Sequence, residues 1–500
     1  MIRRLLIANR GEIALRIIRA CREAAIQTVA VYSDADVSAP HVRAADFARR
    51  LGPAPAAESY LNIGALIEAA RATGADAVHP GYGFLSERAP FADACVNAGL
   101  IFVGPPADAI ERMGAKIGAR SLMRRAGVPI VPGQTPADQS DAGIAAAAKA
   151  IGFPVLVKAS AGGGGKGMRT ARDAAALAEC IAAARREAQA AFGDGTLYVE
   201  RLIDRPRHIE IQVFADADGR AVHLFERECS LQRRHQKIVE ESPSTAVTPA
   251  LRARMGDAAV AAARAVNYRN AGTVEFLLEG HGDAATFYFL EMNTRLQVEH
   301  PVTEAVTGTD LVRAQLDVAA GRPLPWTQAQ LTQRGHAIEC RVYAEDPAAG
   351  FLPQAGPLAL YREPSGPGVR VDSGVEEGAQ VPVQYDPMLA KLITSGRDRD
   401  AAIARAVRAL RDFPILGVRT NGAFLIRLLQ HDDFRAGDID TGFVERHAAG
   451  LTSLTSGGDI PAAVSAAAEF AAADGVPARA AASGGASEAD PWSRFAGWGR

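Results

Sequence analysis

Residues 290–301 read Leu-Glu-Met-Asn-Thr-Arg-Leu-Gln-Val-Glu-His-Pro, with Glu291, Asn293, Arg295, Gln297 and Glu299 at alternate positions. Side chains of an extended chain alternate faces, so these five share one side. Leu290, Met292, Leu296 and Val298 take the other side and anchor the segment. A half-buried strand shows the same alternation with no chemistry attached. Two carboxylates, two amides and a guanidinium on one face go further, because that set suits a metal ion and an anion. Upstream, Thr273, Val274, Glu275, Phe276, Leu277 and Leu278 read as a strand, residues 279–283 as a Gly/Asp-rich turn, and residues 285–291 as the returning strand. Counting outward from the loop centre sets Glu275 about opposite Glu291, with Cβ atoms ~5 Å apart. Facing carboxylates repel unless a proton or a cation sits between them. With Asn293 beside them, Glu275 and Glu291 suit Mg²⁺, which takes few carboxylates and fills its shell with water and phosphate oxygens.

A phosphate binder is expected upstream. Residues 153–158 form a short apolar run ending in Lys158, followed by Gly162, Gly163, Gly164, Gly165, Lys166 and Gly167. Four consecutive glycines weaken a plain turn through backbone entropy, but bare N–H groups can close around phosphate oxygens. The P-loop pattern is excluded because Gly167, not Ser or Thr, follows Lys166. The dinucleotide fingerprint is matched only trivially by a polyglycine run. The helical pattern starts near Asp173, so a short strand follows the loop and the unit reads as a β-hairpin lid. A third cluster, residues 228–241, packs Gln232, Arg233, Arg234, His235, Gln236 and Lys237 between acids. Such density usually marks a solvated surface; the flanking carboxylates favour an anion-binding loop.

These groups need a scaffold. Leu5, Leu6, Ile7 and Ala8 read as a strand. Residues 9–11 turn into a helix with Ile13, Ile17, Ala20 and Ala24 on one stripe. Residues 28–32, 75–79 and 100–104 read as further strands of a parallel α/β sheet. The chain has 500 residues, enough for several domains, and a net charge of −2, which gives no sign of a general polyanion binder. No apolar run nears the ~20 residues of a membrane span. The charged N-terminus lacks a signal-peptide pattern. Five scattered cysteines form no metal pattern and point to a reducing cytoplasm. Cys229 and Cys340 read as packing residues.

The motifs at residues 79–87 (His-Pro-Gly-Tyr-Gly-Phe-Leu-Ser-Glu), 162–167, 206–210 (Pro-Arg-His-Ile-Glu), 232–237 and 291–301 resemble the biotin carboxylase component of biotin-dependent carboxylases. The resemblance runs from residue 2 to about 447. It implies an α/β chain with the ATP-grasp fold: an N-terminal Rossmann-like parallel-sheet domain (1–114), an ATP-grasp domain (115–335) with a small α+β lid (129–203), and a C-terminal α+β domain (336–447). An Ala/Gly/Ser-rich linker is expected over 448–490, with a short helix possible within 460–474. Residues 491–500 resemble the start of the next domain in α subunits of acyl-CoA carboxylases of the 3-methylcrotonyl or geranyl type. No biotin-attachment sequence is found. Met388, Leu389, Ala390 and Lys391 come superficially near one but belong to the carboxylase body, so the chain reads as a truncated subunit or one served by a separate carrier.

The resemblance further implies the chemistry. ATP phosphorylates bicarbonate to carboxyphosphate, which supplies CO2 to biotin; the cofactors are ATP, Mg²⁺ or Mn²⁺, and biotin as substrate. Glu275, Glu291 and Asn293 hold metal. Lys116, Lys158, Gly164, Gly165, Glu200, Arg201, Leu202, Ile203, His208, Gln232 and His235 contact ATP. Arg295, Gln297, Val298, Lys237 and Tyr82 serve bicarbonate or biotin. Glu299 is the general base, and Arg341 stabilises the biotin oxyanion. Expected partners are a biotinyl carrier and a carboxyltransferase β subunit, in a homodimer or larger oligomer, with no nucleic acid or membrane. Two alternatives stay open: another ATP-grasp carboxylate–amine ligase, and a non-catalytic assembly module. A bicarbonate- and biotin-dependent ATPase assay separates the three.

Overall fold

A computed structural model describes residues 1–160, 167–234 and 236–453. Its first sheet comprises β1 (Arg4–Ile7), β2 (Gln27–Ser33), β3 (Phe47–Gly52), β4 (Ala77–His79) and β5 (Ile101–Phe102), in the order β3-β2-β1-β4-β5. Every pairing is parallel. The helix after β1, α1 (Gly11–Glu23), buries Ile13, Ile17 and Ala20 against this layer, as its stripe predicts, while Ala24 falls just past its end and is half-buried. The strand order reverses around β1, and α/β sheets bind ligands at the carboxyl ends of strands flanking such a point. There Asn9, just after β1, donates to the carbonyls of Pro80 and Tyr82 at 2.8 and 2.7 Å. Gly81, at φ 62°, is required by this contact: a Cβ there would lie 2.8 Å from the Asn9 amide.

The lid sheet orders β6 (Gly133–Gln134), β9 (Leu197–Arg201), β7 (Val155–Ala159) and β8 (Met168–Ala171). β7 and β8 pair antiparallel, so a strand does follow the glycine loop. Asp173 then caps a helix over Ala174–Phe192 by accepting from two backbone N–H groups, where the helical pattern was expected to start. The loop itself, with Gly164 and Gly165, lies outside the described residues, as does His235.

An eight-stranded antiparallel sheet forms the body. It runs β14 (Thr286–Asn293), β13 (Asn270–Glu279), β10 (Arg207–Ala215), β11 (Ala221–Arg233), β12 (Gln236–Ser242), β15 (His336–Tyr343), β17 (Met388–Gly396) and β16 (Val369–Ser373). Its continuity from β10 to β17 makes residues 207–396 a shared platform. One core cluster packs β12, β15 and β17 against C-terminal helices through Ile338, Leu392, Phe424 and Leu428. Met1–Thr452 forms one compact unit. A last helix, Ala448–Thr452, buries Leu451, so packed structure continues five residues into the expected linker. The expected helix within 460–474 and the segment 491–500 lie outside the described residues. Among those residues no helix is long and apolar enough to cross a membrane.

Candidate active site

β13 and β14 pair with Glu275 directly opposite Glu291, the register expected from counting, and a bulge follows Glu275. The alternation of residues 290–299 is not extended throughout. β14 ends at Asn293, and residues 294–299 turn toward a helix, α2 (His300–Thr307), whose N-cap is Glu299. The polar residues still converge, through side-chain bonding instead of pleating. Arg295 donates at 2.9 Å to each of Asn293 Oδ1, Gln297 Oε1 and Glu87 Oε2. Glu87 also accepts from the Thr294 N–H at 3.0 Å. Asn293 Nδ2 and Gln297 Nε2 donate to Glu275 Oε1 at 2.8 and 3.2 Å. Met292 and Leu296 are buried as expected, but Leu290 and Val298 are only half-buried.

Lys237 stands at the centre. Its Nζ lies 2.6 Å from Glu210, 2.9 Å from Glu275 and 2.7 Å from Glu299. Three carboxylates hold its pKa well above the ordinary lysine value against the opposing effect of burial. His208 Nε2 sits 2.9 Å from the second oxygen of Glu275. Burial favours the neutral Glu299, but Lys237, Arg341 and Arg227 outweigh it and push its pKa well below the carboxylate range. Arg227, fully buried, supports the cluster from beneath by bonding Glu210, Gln212, Thr303 and Thr273.

Arg341 lies on β15, which is buried along its whole length, and its guanidinium already has protein partners. It donates from Nε to Glu240 at 2.6 Å and from Nη2 to Glu299 at 3.0 Å. Burial, with Glu299 adding to it, pushes the Glu240 carboxyl up to about 7 despite Arg341. Tyr82 gives its hydroxyl to Glu12. Of the cationic run near residue 235, Arg233 pairs with Glu345 and covers Phe351, and Arg234 is exposed, so Lys237 is the cation of that run facing the carboxylates among the described residues. Gln232 is half-buried and registers opposite Lys237.

The nucleotide side has a different character. Lys158 and Arg120 both bind Glu200. Lys116, half-buried at the start of its helix, has no hydrogen bond or ion pair among the described residues. Its pKa is pushed down by burial first and then by Lys158. Two amines that repel across one space form a place for an anion. Arg201 is committed to Glu279 and Tyr288 at 2.7 and 2.8 Å, and the Leu202 N–H to the Pro154 carbonyl at 3.1 Å. Ile203 is buried.

The metal set fits a hard divalent cation. Glu291 faces Glu275, is exposed, and has no hydrogen bond or ion pair of its own among the described residues. Although the residue as a whole is exposed, protein packed around its carboxyl raises its pKa first, and Glu275 adds the repulsion that a cation would relieve. Sequence reasoning gave no role to Glu87, Glu210, Arg227 or Glu240. Glu87 and Glu210 close two of the motifs quoted above, so a signal existed; Arg227 carried none.

The strand orders, the separate four-stranded sheet and the converging carboxylates and cations define an ATP-grasp protein. Residues 1–110 match the family described as "Biotin carboxylase, N-terminal domain", residues 115–327 "Carbamoyl-phosphate synthase L chain, ATP binding domain", and residues 339–446 "Biotin carboxylase C-terminal domain". Biotin carboxylase 1 of Bacillus subtilis is 52% identical over 447 residues, covering 89% of this chain and 99% of that protein. The mitochondrial methylcrotonoyl-CoA carboxylase subunit alpha of Rattus norvegicus is 51% identical over 447 residues, 89% of this chain and 62% of that protein. This chain thus spans less than two thirds of the length of such α-subunit relatives. The biotin carboxylase domain dimer of Hydrogenobacter thermophilus 2-oxoglutarate carboxylase, solved with MgADP, ADP and bicarbonate, superposes with a TM-score of 0.86 at 43% identity, covering 91% of this chain and 99% of that one. The chain belongs to the biotin carboxylase family.

Proposed function

We propose that this chain carboxylates biotin with bicarbonate at the expense of ATP, through carboxyphosphate, as the biotin carboxylase component of an acyl-CoA carboxylase. One observation carries the reading: Glu299 is held between Lys237 and Arg341 at 2.7 and 3.0 Å, beside the Arg295–Gln297 pair. A carboxylate, three cations and an amide linked through shared partners support a site for a small anion. A planar guanidinium such as Arg295 suits bidentate binding of bicarbonate.

Phosphoryl transfer needs alignment and charge neutralisation more than covalent help. In this reading Lys116, Lys158 and the amides of Gly164 and Gly165 hold phosphate oxygens. His208, Gln232 and His235 line the nucleotide, and Glu200, Arg201, Leu202 and Ile203 flank the adenine. Glu275, Glu291 and Asn293 would hold Mg²⁺, which would neutralise charge on the phosphates. Glu299 removes the bicarbonate proton. With its pKa held so low by Lys237 and Arg341, Glu299 is a weak base until those cations turn to the arriving anion, which raises its proton affinity when bicarbonate is in place. Arg341 then stabilises the oxyanion of deprotonated biotin, with Tyr82 nearby.

The finer organisation is proposed on the same basis: domains over 1–114, 115–335 and 336–447, a biotinyl carrier and a carboxyltransferase β subunit as partners, a homodimer or larger oligomer, and a cytoplasmic setting. The test is ADP release by the purified protein with Mg²⁺, which is expected to need bicarbonate and to rise with free biotin. ADP release indifferent to both refutes the reading.

A further inference from the structure

The peptide groups around Val298 are fixed from behind by two buried side chains that the sequence reading left without a role. His300 is fully buried, and its Nδ1 lies 2.8 Å from the Gln297 carbonyl. A carbonyl only accepts, so Nδ1 carries the proton. Burial, then Lys391, Arg16 and Arg370, keep the ring neutral. Its Nε2 has no partner among the described residues, which leaves the Nδ1 bond as its one polar contact there. Lys391, also fully buried, donates to the next carbonyl along, that of Val298, at 2.7 Å. Glu12 at 3.1 Å and Asp372 at 4.0 Å balance its charge.

The geometry of a trans peptide turns these two contacts into a positioning device. C=O and N–H point in opposite directions across each peptide plane. With the Gln297 carbonyl drawn back to His300, the Val298 N–H is turned the other way. With the Val298 carbonyl drawn back to Lys391, the Glu299 N–H is turned likewise. Neither N–H has a hydrogen-bond partner among the described residues. Along the chain both follow Gln297, the partner of Arg295, and adjoin the residue that bears the Glu299 carboxylate. Pro301, at the first turn of α2, adds a fixed φ to the segment.

We propose that His300 and Lys391 are positioning residues that lock the two peptide planes flanking Val298 and so present its N–H as a preorganised donor to the bicarbonate anion. The inference rests on the biotin carboxylase reading above. It also gives Lys391, in the stretch that superficially resembled a biotin-attachment site, a buried structural task. A lysine with three buried partners is not available for biotinylation.

The test is steady-state ADP release with biotin, varying bicarbonate at saturating MgATP and then MgATP at saturating bicarbonate. His300→Leu removes the ring donor and leaves only the backbone N–H of residue 300, at 3.3 Å, on the Gln297 carbonyl, whereas His300→Asn places an amide N–H near the former Nδ1. His300→Leu is expected to raise the KM for bicarbonate at least tenfold with the KM for ATP within twofold of the parent. His300→Asn is expected to return the bicarbonate KM to within about threefold. A merely packing role would lower stability and rate without this split or this rescue. Lys391→Met is expected to raise the same KM and to lower kcat as well, because the plane it holds includes Glu299. An unchanged bicarbonate KM in folded His300→Leu, or an Asn variant no better than Leu, overturns the inference while leaving the activity standing. If His300→Leu does not fold, a folded His300→Asn with a tenfold loss for bicarbonate overturns it equally. An unchanged KM in folded Lys391→Met removes Lys391 from the pair. A parent enzyme with no bicarbonate dependence overturns the functional reading and this inference together.

Discussion

Replacing Lys237 with Met removes the cation that three carboxylates share while keeping most of the side-chain length. Glu210 keeps Arg227, Glu275 keeps His208 and Glu299 keeps Arg341. Each carboxylate therefore loses its lysine and keeps at least one other partner. Removing one member of a buried pair costs about 3–5 kcal/mol, and the retained partners set the expectation near the lower end, about 3 kcal/mol at pH 7.5. The pH dependence has a definite sign. In the parent, Glu275 and Glu299 have pKa values below the usual carboxylate range. Their stabilisation is present above the unfolded value of ~4.3 and is lost only as pH falls through the depressed folded values. At Glu275 and Glu299 the parent thus takes up no proton between about pH 7.5 and 5.5, whereas burial raises Glu210 in the parent despite Arg227 and Lys237. In the variant, burial is no longer opposed by Lys237, a carboxyl titrates upward, and the folded state gains a proton in that interval. Each unit of pH then returns up to ~1.4 kcal/mol. The gap should narrow from about 3 to about 1 kcal/mol by pH 5.5. Urea unfolding of both proteins at the two pH values, followed by far-ultraviolet circular dichroism and compared at a common m value, measures it. A gap below about 1 kcal/mol at pH 7.5, or one that stays constant or widens toward pH 5.5, refutes the idea that Lys237 neutralises this cluster.

Three further outcomes follow. Glu291→Gln should fold like the parent yet need several-fold more Mg²⁺ for ADP release, since it removes one charge from the pair facing Glu275; unchanged Mg²⁺ demand rules Glu291 out as a ligand. Glu299→Gln should suppress bicarbonate-dependent ADP release itself, whereas Arg341→Ala should leave some release but lower trapped carboxybiotin by ~10²–10³; normal one-to-one coupling in Arg341→Ala would remove it from the catalytic set. Glu241 bonds His336 and Arg399, which overcome burial and bring its pKa down to about 2. Glu241→Gln should therefore destabilise by an amount constant above about pH 5 and shrinking as acid reaches the parent's carboxylate, and a penalty that grows on acidification contradicts that assignment.

Local patterns carried much of the architecture. The period-two run and its turn gave the Glu275–Glu291 register, because a hairpin's pairing is set by its own loop. The apolar stripe of α1, the Asp173 cap and the strand after the glycine loop were equally legible, since each is decided within one or two turns of chain. The reading failed where extended geometry was assumed to persist. Residues 294–299 leave the strand because Arg295 is bonded to Asn293, Gln297 and Glu87 at once, and Glu87 comes from a distant loop. Arg341 was expected to await a substrate anion. Its strand lies in the middle of the large sheet, where an unpaired guanidinium would be too costly, so Glu240 and Glu299 hold it.

By itself, then, the sequence determined many of the element types, the facing carboxylates, the strand after the glycine loop and, through its motifs, the family. Only the tertiary structure decided which charges meet. Lys237 reaches Glu299 across 62 positions in sequence, and Arg341 reaches Glu240 across 101. Their joint effect on Glu299, a base kept ionised and weak, depends on burial and on distances of 2.7 and 3.0 Å. Periodicity encodes the direction of a side chain relative to its own strand. It does not encode the partner that a long-range fold brings opposite, nor the loss of water that makes the encounter strong.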